Sequence, residues 1–212
     1  MTSPPPLQSG VFYHIYNRGI NRENIFIEAR NYPYFLQLYA RHIGPVVETY
    51  AYCLLKNHFH LLVKIKEGPE DPNEDPKGLL RPLGSRSGRS EASAAFSNFF
   101  NAYAKAINKA YDRTGSLFQH PFGRIQVDSQ AYLLQLVRYI HLNPQRHRLV
   151  SDFHEWPYSS YHAFETLKVS ETLMVCRAEV LGWFDNLTGF TAAHDAPLDE
   201  AVIAPLAPDD FD

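Results

Sequence analysis

The run Asn57-His58-Phe59-His60-Leu61-Leu62-Val63-Lys64-Ile65 constrains the fold more than any other stretch of this chain. From His58 onward it alternates with period two, as a β-strand does. Phe59, Leu61, Val63 and Ile65 fall on one face, and His58, His60, Leu62 and Lys64 on the other. The first set calls for a helical layer over the sheet. The second sets two imidazoles about 7 Å apart, a separation that one divalent ion can bridge if both rings lean inward. Taken alone, the run reads equally well as a half-buried strand with two surface histidines. A second stretch, Tyr139 to Asn143, bears on that choice.

Around this strand the other elements fall into order. Val11 to Tyr16 is β-branched and aromatic, bounded by Gly10 and Asn17-Arg18-Gly19, and predicts a first strand. Asn31 to His42 carries Tyr34, Phe35, Leu38 and Tyr39 at helical spacing before Gly44-Pro45. Val46 to Leu55 is a second strand, turning through Lys56-Asn57 into the histidine strand as an antiparallel hairpin. Ser90 to Arg113 repeats Phe96, Phe99, Phe100, Tyr103 and Ile107 on one helical face, which reads as core. Arg124 to Val127 is a fourth strand, and Ser129 caps a last strong helix, Gln130 to Asn143. The series strand, helix, strand, strand, helix, strand, helix predicts an α+β, ferredoxin-like split βαβ sandwich, its antiparallel sheet four- to five-stranded, with one added helix.

The 212 residues suffice for one ordinary core with an appendage. Domain organisation reads as a body over residues 1–165 and an acidic C-terminal extension over 166–212. The net charge of −3 hides an asymmetry. The body holds 18 Lys+Arg against 14 Asp+Glu, the extension 2 against 9, so the body alone suits a polyanionic partner. Glu67 to Ser90, rich in proline, glycine and charge, reads as a mobile surface insertion: a solvated spacer or an arm that grips phosphates. Met174 to Phe184 suggests a short helix, and Asn186 to Asp212 a disordered end. Cys53 and Cys176 lack any CxxC spacing, and Met1 to Gly10 is polar and proline-rich rather than a signal peptide. With no apolar run long enough for a bilayer, an intracellular, cytoplasmic protein without a membrane partner is expected.

The last helix supplies the second half of a site. At 100° per residue, Leu133, Leu136, Val137 and Ile140 form a stripe that faces the sheet. Tyr132, Tyr139 and Asn143 share one flank of it, and Arg138 points away. Tyr139 and Asn143, four residues apart, are surface neighbours. Two imidazoles and an amide oxygen would hold one Mg²⁺ or Mn²⁺ with positions open to phosphate oxygens. The ion would act as a Lewis acid on a scissile phosphate. A phenol of pKa near 10 is a usable nucleophile and, afterwards, a usable leaving group. The plainer readings are a rim tyrosine with a buried ring and wet hydroxyl, and an asparagine that ends a helix before Pro144.

Five motifs together resemble the single-tyrosine HUH transposases, the insertion-sequence-200-like group, and within them the REP-associated tyrosine transposases. They are His14 with Tyr16-Asn17-Arg18-Gly19, Asn57-His58-Phe59-His60-Leu61-Leu62, Gly115-Ser116-Leu117-Phe118-Gln119, Tyr139-Ile140-His141-Leu142-Asn143-Pro144, and Trp156-Pro157-Tyr158-Ser159-Ser160-Tyr161. The resemblance spans roughly residues 10–165. It implies His58, His60 and Asn143 as metal ligands and Tyr139 as the nucleophile. It further implies metal-dependent cleavage and strand transfer of single-stranded DNA, often beside a hairpin, through a 5′-phosphotyrosine. Homodimeric and monomeric members both occur, and the sequence leaves open whether the site is built in cis or in trans. Glu67–Ser90 and the tail past Glu165 have no clear counterpart in the family.

Arg18, Arg22, Lys105, Lys109, Arg113, Arg124, Arg146 and Arg148 are candidate phosphate contacts, each with a solvated surface role as its alternative. His14 reads as a satisfied sheet histidine, and His120, His141, His147, His154 and His162 as surface or DNA-facing residues. Two competing functions remain: a domesticated hairpin-binding protein that no longer cuts, and an HUH nickase of the replication-initiator or relaxase type.

Overall fold

The computed structural model describes residues 6–67, 90–165 and 175–206. Nearly all of the expected surface insertion, residues 68–89, lies outside the described residues, as do 166–174 and 207–212 of the extension. Four strands form where aromatic and β-branched residues cluster: β1 (Phe12–Arg18), β2 (Val47–Leu54), β3 (His58–Ile65) and β4 (Gly123–Val127). They pair antiparallel in the order β2-β3-β1-β4. Helix α1 (Asn31–His42) joins β1 to β2, and α2 (Glu91–Ala110) lies between β3 and β4. This is the expected α+β sandwich with the split βαβ order. The β2–β3 hairpin closes with the Leu55 N–H donating to the His58 carbonyl at 2.9 Å.

Element ends follow local chemistry. Ser90 caps α2 by accepting from the Ser93 N–H at 3.3 Å. The helix stops at Ala110, short of the expected Arg113, because Asp112 turns to φ 49°. Ser129 caps α3 (Gln130–Arg146), which overruns the expected end at Asn143. Pro144 sits in its last turn, where the missing donor costs one intrahelical bond. The His147 N–H closes that turn on the Asn143 carbonyl at 2.9 Å.

Both faces of the sheet are covered. Phe59 meets Phe35 of α1 at 5.1 Å and Phe100 of α2 at 5.8 Å between ring centroids. The opposite face, carrying His14, Tyr16, His58, His60 and Leu62, lies under α3, which packs against β2 and β3. Leu136, Val137 and Ile140 of α3 are fully buried there, and Leu133 only half so. The free edge of β2 is masked by the Trp156–Tyr161 motif. Leu54 N–H donates to the Tyr158 carbonyl, Ser160 N–H to the Tyr52 carbonyl and the Trp156 indole to the Leu54 carbonyl, each at 2.9 Å.

The tail differs most from expectation. Beyond α4 (Tyr161–Glu165), helices α5 (Arg177–Trp183), α6 (Leu187–Asp195) and α7 (Glu200–Ile203) are formed. Helix α5 matches the expected short helix. The expected disorder from Asn186 does not hold through 206, since Phe190, His194 and Ile203 are buried. The acidic composition misleads because these residues lie over the polar side of α3. Arg138 donates to the carbonyls of Ala196 (2.5 Å) and Pro197 (2.8 Å), and Arg146 pairs with Glu200 at 2.6 Å. Arg138 therefore points away from the sheet, as its helical phase requires, yet is buried beneath the C-terminal segment. Among the described residues no helix is long and apolar enough to cross a membrane.

His141 is also corrected: it is fully buried, not a surface residue. It belongs to a chain of hydrogen bonds with one consistent set of donors. The Tyr52 N–H donates to Ser160 Oγ (2.8 Å), the Ser160 hydroxyl to His141 Nε2 (2.8 Å), and His141 Nδ1–H to His194 Nε2 (2.9 Å). His194 Nδ1–H then donates to the Phe190 carbonyl (2.8 Å). Both rings are neutral in this arrangement, and a second proton on His194 would set its Nε2–H against the Nδ1–H of His141. Burial is the main cause holding His141 well below the usual imidazole range, with His194 and His162 adding to it. Burial likewise lowers His194 to about 4.

A folded-state value below the unfolded one means that stability is complete above about pH 6.5 and is lost as pH falls toward 4. Urea unfolding is therefore expected to show about 2 kcal/mol less stability at about pH 5 than at about pH 7 on account of His194. The His194→Gln variant, measured the same way, loses most of that slope.

Candidate metal and tyrosine site

Strand pairing assembles the imidazoles. Tyr16 stands opposite His60 and His14 opposite Leu62, so β1 and β3 present their rings to one face. His14 Nε2 lies 3.0 Å from His60 Nδ1, with the rings stacked at 5.1 Å. His58 and His60 are 5.1 Å apart between centroids and nearly perpendicular, so the two rings lean toward each other. These are not surface histidines: His14, His58 and His60 are at most 5% exposed. The His147 ring comes within 4.7 Å of His58, a neighbour the sequence reading missed because it lies just past the end of α3. His14 is hydrogen-bonded within the sheet, as expected, and is also part of the cluster.

Helix α3 brings the phenol to these rings. Tyr139 meets His60 at 5.4 Å and His14 at 6.2 Å, edge-on to both. One turn later the Asn143 amide donates to the Tyr139 carbonyl at 3.3 Å. Asn143 Oδ1 is buried with no hydrogen-bond partner among the described residues. Leaving such an acceptor unsatisfied costs about 1–3 kcal/mol, and a cation is one group that would satisfy it. The amide oxygen suits Mg²⁺ and Mn²⁺ alike, and of the two Mn²⁺, a transition metal, accepts imidazole nitrogen more readily. Among the described residues no three His, Cys, Asp or Glu side chains are arranged to hold an ion, so a site here depends on the amide.

Tyr139 is fully buried, and the Arg146 guanidinium lies 5.7 Å from its ring centroid. Arg146 is at the same time bidentate to Glu200, at 2.6 and 3.2 Å. An open cleft of about 510 Å³ flanks this pair, lined by Asp152, His154 and His194, but does not include Tyr139 or the strand histidines.

The other basic candidates are dispersed. Arg18 and Arg22 lie at the end of the sheet where β3 begins, Arg18 opposite His58. Lys105 and Lys109 are exposed on α2, in the layer across the sheet from α3. Arg113 is ion-paired with Glu23 and donates to Asn108 Oδ1 at 3.0 Å. Arg124 lies over the Phe122 ring at 4.2 Å, and Arg148 is exposed just past α3.

No protein-family model matches the chain. A curated protein of Haemophilus influenzae, provisionally named a REP-associated tyrosine transposase, is 27% identical over 115 residues. The match takes in 54% of this chain and 59% of that relative, so the chain spans less than two thirds of it. A solved structure described as the REP-associated tyrosine transposase bound to a REP hairpin shares the fold at TM-score 0.57. The two are 16% identical, over 78% of this chain and 85% of that one. The resemblance to the REP-associated tyrosine transposases carried by the motifs is thus borne out by a sequence match, and the fold agrees.

The imidazole cluster also depends on Gly123. A Cβ there would fall 2.1 Å from Cζ of Tyr16, whose ring stacks against His60 at 6.2 Å and meets His14 at 5.0 Å. Gly123→Ala is expected to force the Tyr16 ring aside and to cost about 1–3 kcal/mol in chemical unfolding. Tyr16→Ala in the same background should recover part of that loss.

Proposed function

We propose that this chain is a single-tyrosine HUH transposase of the REP-associated kind, a cytoplasmic enzyme that cuts and rejoins single-stranded DNA beside hairpins. Tyr139 is the nucleophile, and His58, His60 and Asn143 are the ligands of one Mg²⁺ or Mn²⁺. The observation that carries this reading is the meeting of a helix-borne phenol, an unsatisfied amide oxygen and two buried imidazoles on one face of the sheet. The fold shared with a hairpin-bound structure supports the partner class. Helix α3 lies on its own sheet, which supports a site built in cis and a functional monomer.

In this reading the Tyr139 oxygen attacks the scissile phosphorus and the bond to the 3′-oxygen breaks. The products are a 5′-phosphotyrosine and a 3′-hydroxyl that takes up a proton. A bound ion supplies Lewis acidity at the phosphate oxygens. Attack by a 3′-hydroxyl on the adduct joins a new strand and returns the phenol, since a phenolate leaves more readily than an aliphatic alkoxide. DNA must first displace the Arg146 guanidinium from the ring. The Arg146–Glu200 pair is partly exposed, so opening it costs only about 0–1 kcal/mol. Once displaced, Arg146 is a cation beside the phosphate, as are Arg18 and Arg22 at the end of the sheet.

The covered phenol also favours a second reading, a hairpin-binding protein that no longer cuts. Incubation with hairpin-bearing single strands and Mn²⁺, followed by denaturing electrophoresis, separates the two. A covalent protein–DNA band is expected, and binding without any such band would establish the non-cleaving protein instead.

Tyr139→Phe is expected to reduce the adduct to background while hairpin affinity stays within about threefold, less than about 1 kcal/mol. Persistence of the adduct would assign the nucleophile elsewhere. His58→Ala and His60→Ala should each remove both cleavage and its dependence on added Mn²⁺ in the same assay.

A further inference from the structure

Resting on the metal reading above, we infer that Asn57 is a positioning residue that fixes the proton of His58 on Nδ1 and so presents Nε2 as a ligand. An imidazole binds a cation only through a nitrogen that carries a lone pair, and which nitrogen that is depends on the hydrogen bond made by the other. His58 Nδ1 lies 2.6 Å from Asn57 Oδ1. An amide oxygen only accepts, so Nδ1 must donate, and in the neutral ring Nε2 keeps its lone pair.

The Asn57 amide must face this way round for Oδ1 to meet the ring, and the turn after β1 determines that it does. Asn57 Nδ2 donates to the Arg22 carbonyl at 3.3 Å, which leaves Oδ1 for the ring. A flipped amide would set its oxygen against that carbonyl and two donors against each other at the ring. The Arg22 carbonyl is itself held by an unusual backbone path. Asn21 and Arg22 both adopt positive φ, 54° and 62°, and the Arg22 N–H closes back on the Gly19 carbonyl at 3.1 Å. Gly19 permits the loop, because a Cβ there would lie 2.0 Å from the Glu23 carbonyl oxygen. Its N–H donates to the Asn57 carbonyl at 2.8 Å, tying the loop to the same residue by its backbone. Two separate sequence motifs, Tyr16 to Gly19 and Asn57 to His60, thereby act as one device.

The device serves the other ligand less directly. His60 Nδ1 faces His14 Nε2, so donation from His60 to His14 would leave His60 Nε2 as its ligand atom too. That contact joins two groups able to reverse roles, whereas Asn57 has only one role to play. Hence Asn57 is the residue on which the ligand form of the cluster depends.

Long-range ¹H–¹⁵N correlation spectra of the metal-free, ¹⁵N-labelled full chain read the tautomer directly, with His58 assigned by its loss in His58→Ala. The expected result is a protonated Nδ1 and a bare Nε2 in the wild type. Asn57→Ala should shift His58 toward the Nε2–H form and weaken Mn²⁺ binding by about 10- to 100-fold in calorimetry. Asn57→Asp, which keeps an acceptor oxygen, should retain the wild-type tautomer and most of the affinity. A wild-type His58 protonated on Nε2 overturns the inference, and so does an Asn57→Ala protein with unchanged tautomer and affinity. If Asn57→Ala does not fold, the wild-type spectrum and Asn57→Asp still decide the matter. A correct tautomer in a wild-type protein that binds no Mn²⁺ would sink the metal reading and leave the positioning role of Asn57 standing.

Discussion

The docking of α3 across β2 and β3 is the contact on which the candidate site depends. Leu136, Val137 and Ile140 are removed from water against the histidine-bearing face of the sheet, about 1.5–3 kcal/mol for each side chain. That burial fixes the rotation of the helix about its axis. Once the stripe is seated, Tyr139 and Asn143 can point only along its flank, where His60 and His14 lie. An apolar stripe thus orients polar chemistry, and no polar contact needs to be strong for the arrangement to hold.

The same docking creates a cost that the rest of the molecule offsets. A helix seated on the sheet by one side has an opposite side carrying Arg138 and His141, with Arg146 reaching out near its end. These groups require partners. The C-terminal helices supply them through the Ala196 and Pro197 carbonyls, His194 and Glu200. The acidic extension is accordingly structural over its described part, and its charge complements α3. Through Glu200 it also touches the site, since Arg146 is shared between that carboxylate and the Tyr139 ring.

Much of this was legible in the sequence, for identifiable reasons. Period-two alternation from His58 located β3 and its two faces, and the spacing of Phe96, Phe99, Phe100 and Tyr103 located α2, because each element buries a regular stripe. Tyr139 and Asn143 were legible as a pair because four residues make one helical turn. What escaped was long-range or cooperative. His141 looked like a surface residue because its partners, Ser160 and His194, are 19 and 53 residues distant. His147 reaches His58 only because α3 continues through Pro144, which local rules read as a stop. Residues 186–206 looked disordered because composition alone does not register a complementary surface elsewhere in the chain. The depth of the histidines was also missed, since alternation marks faces but does not reveal whether a second layer covers them.

The burial of those histidines raises the question the account must meet, because imidazoles and an amide oxygen placed out of water need compensation. Hydrogen bonds from His58 to Asn57 and between His60 and His14 supply part of it. A divalent ion shared by His58, His60 and Asn143 would supply the rest and would put a Lewis acid beside Tyr139. Anomalous scattering from a crystal soaked in Mn²⁺ tests this most directly. The account predicts one dominant peak bonded to both Nε2 atoms and to Asn143 Oδ1. A peak elsewhere in the molecule, or none at saturating Mn²⁺, would contradict it.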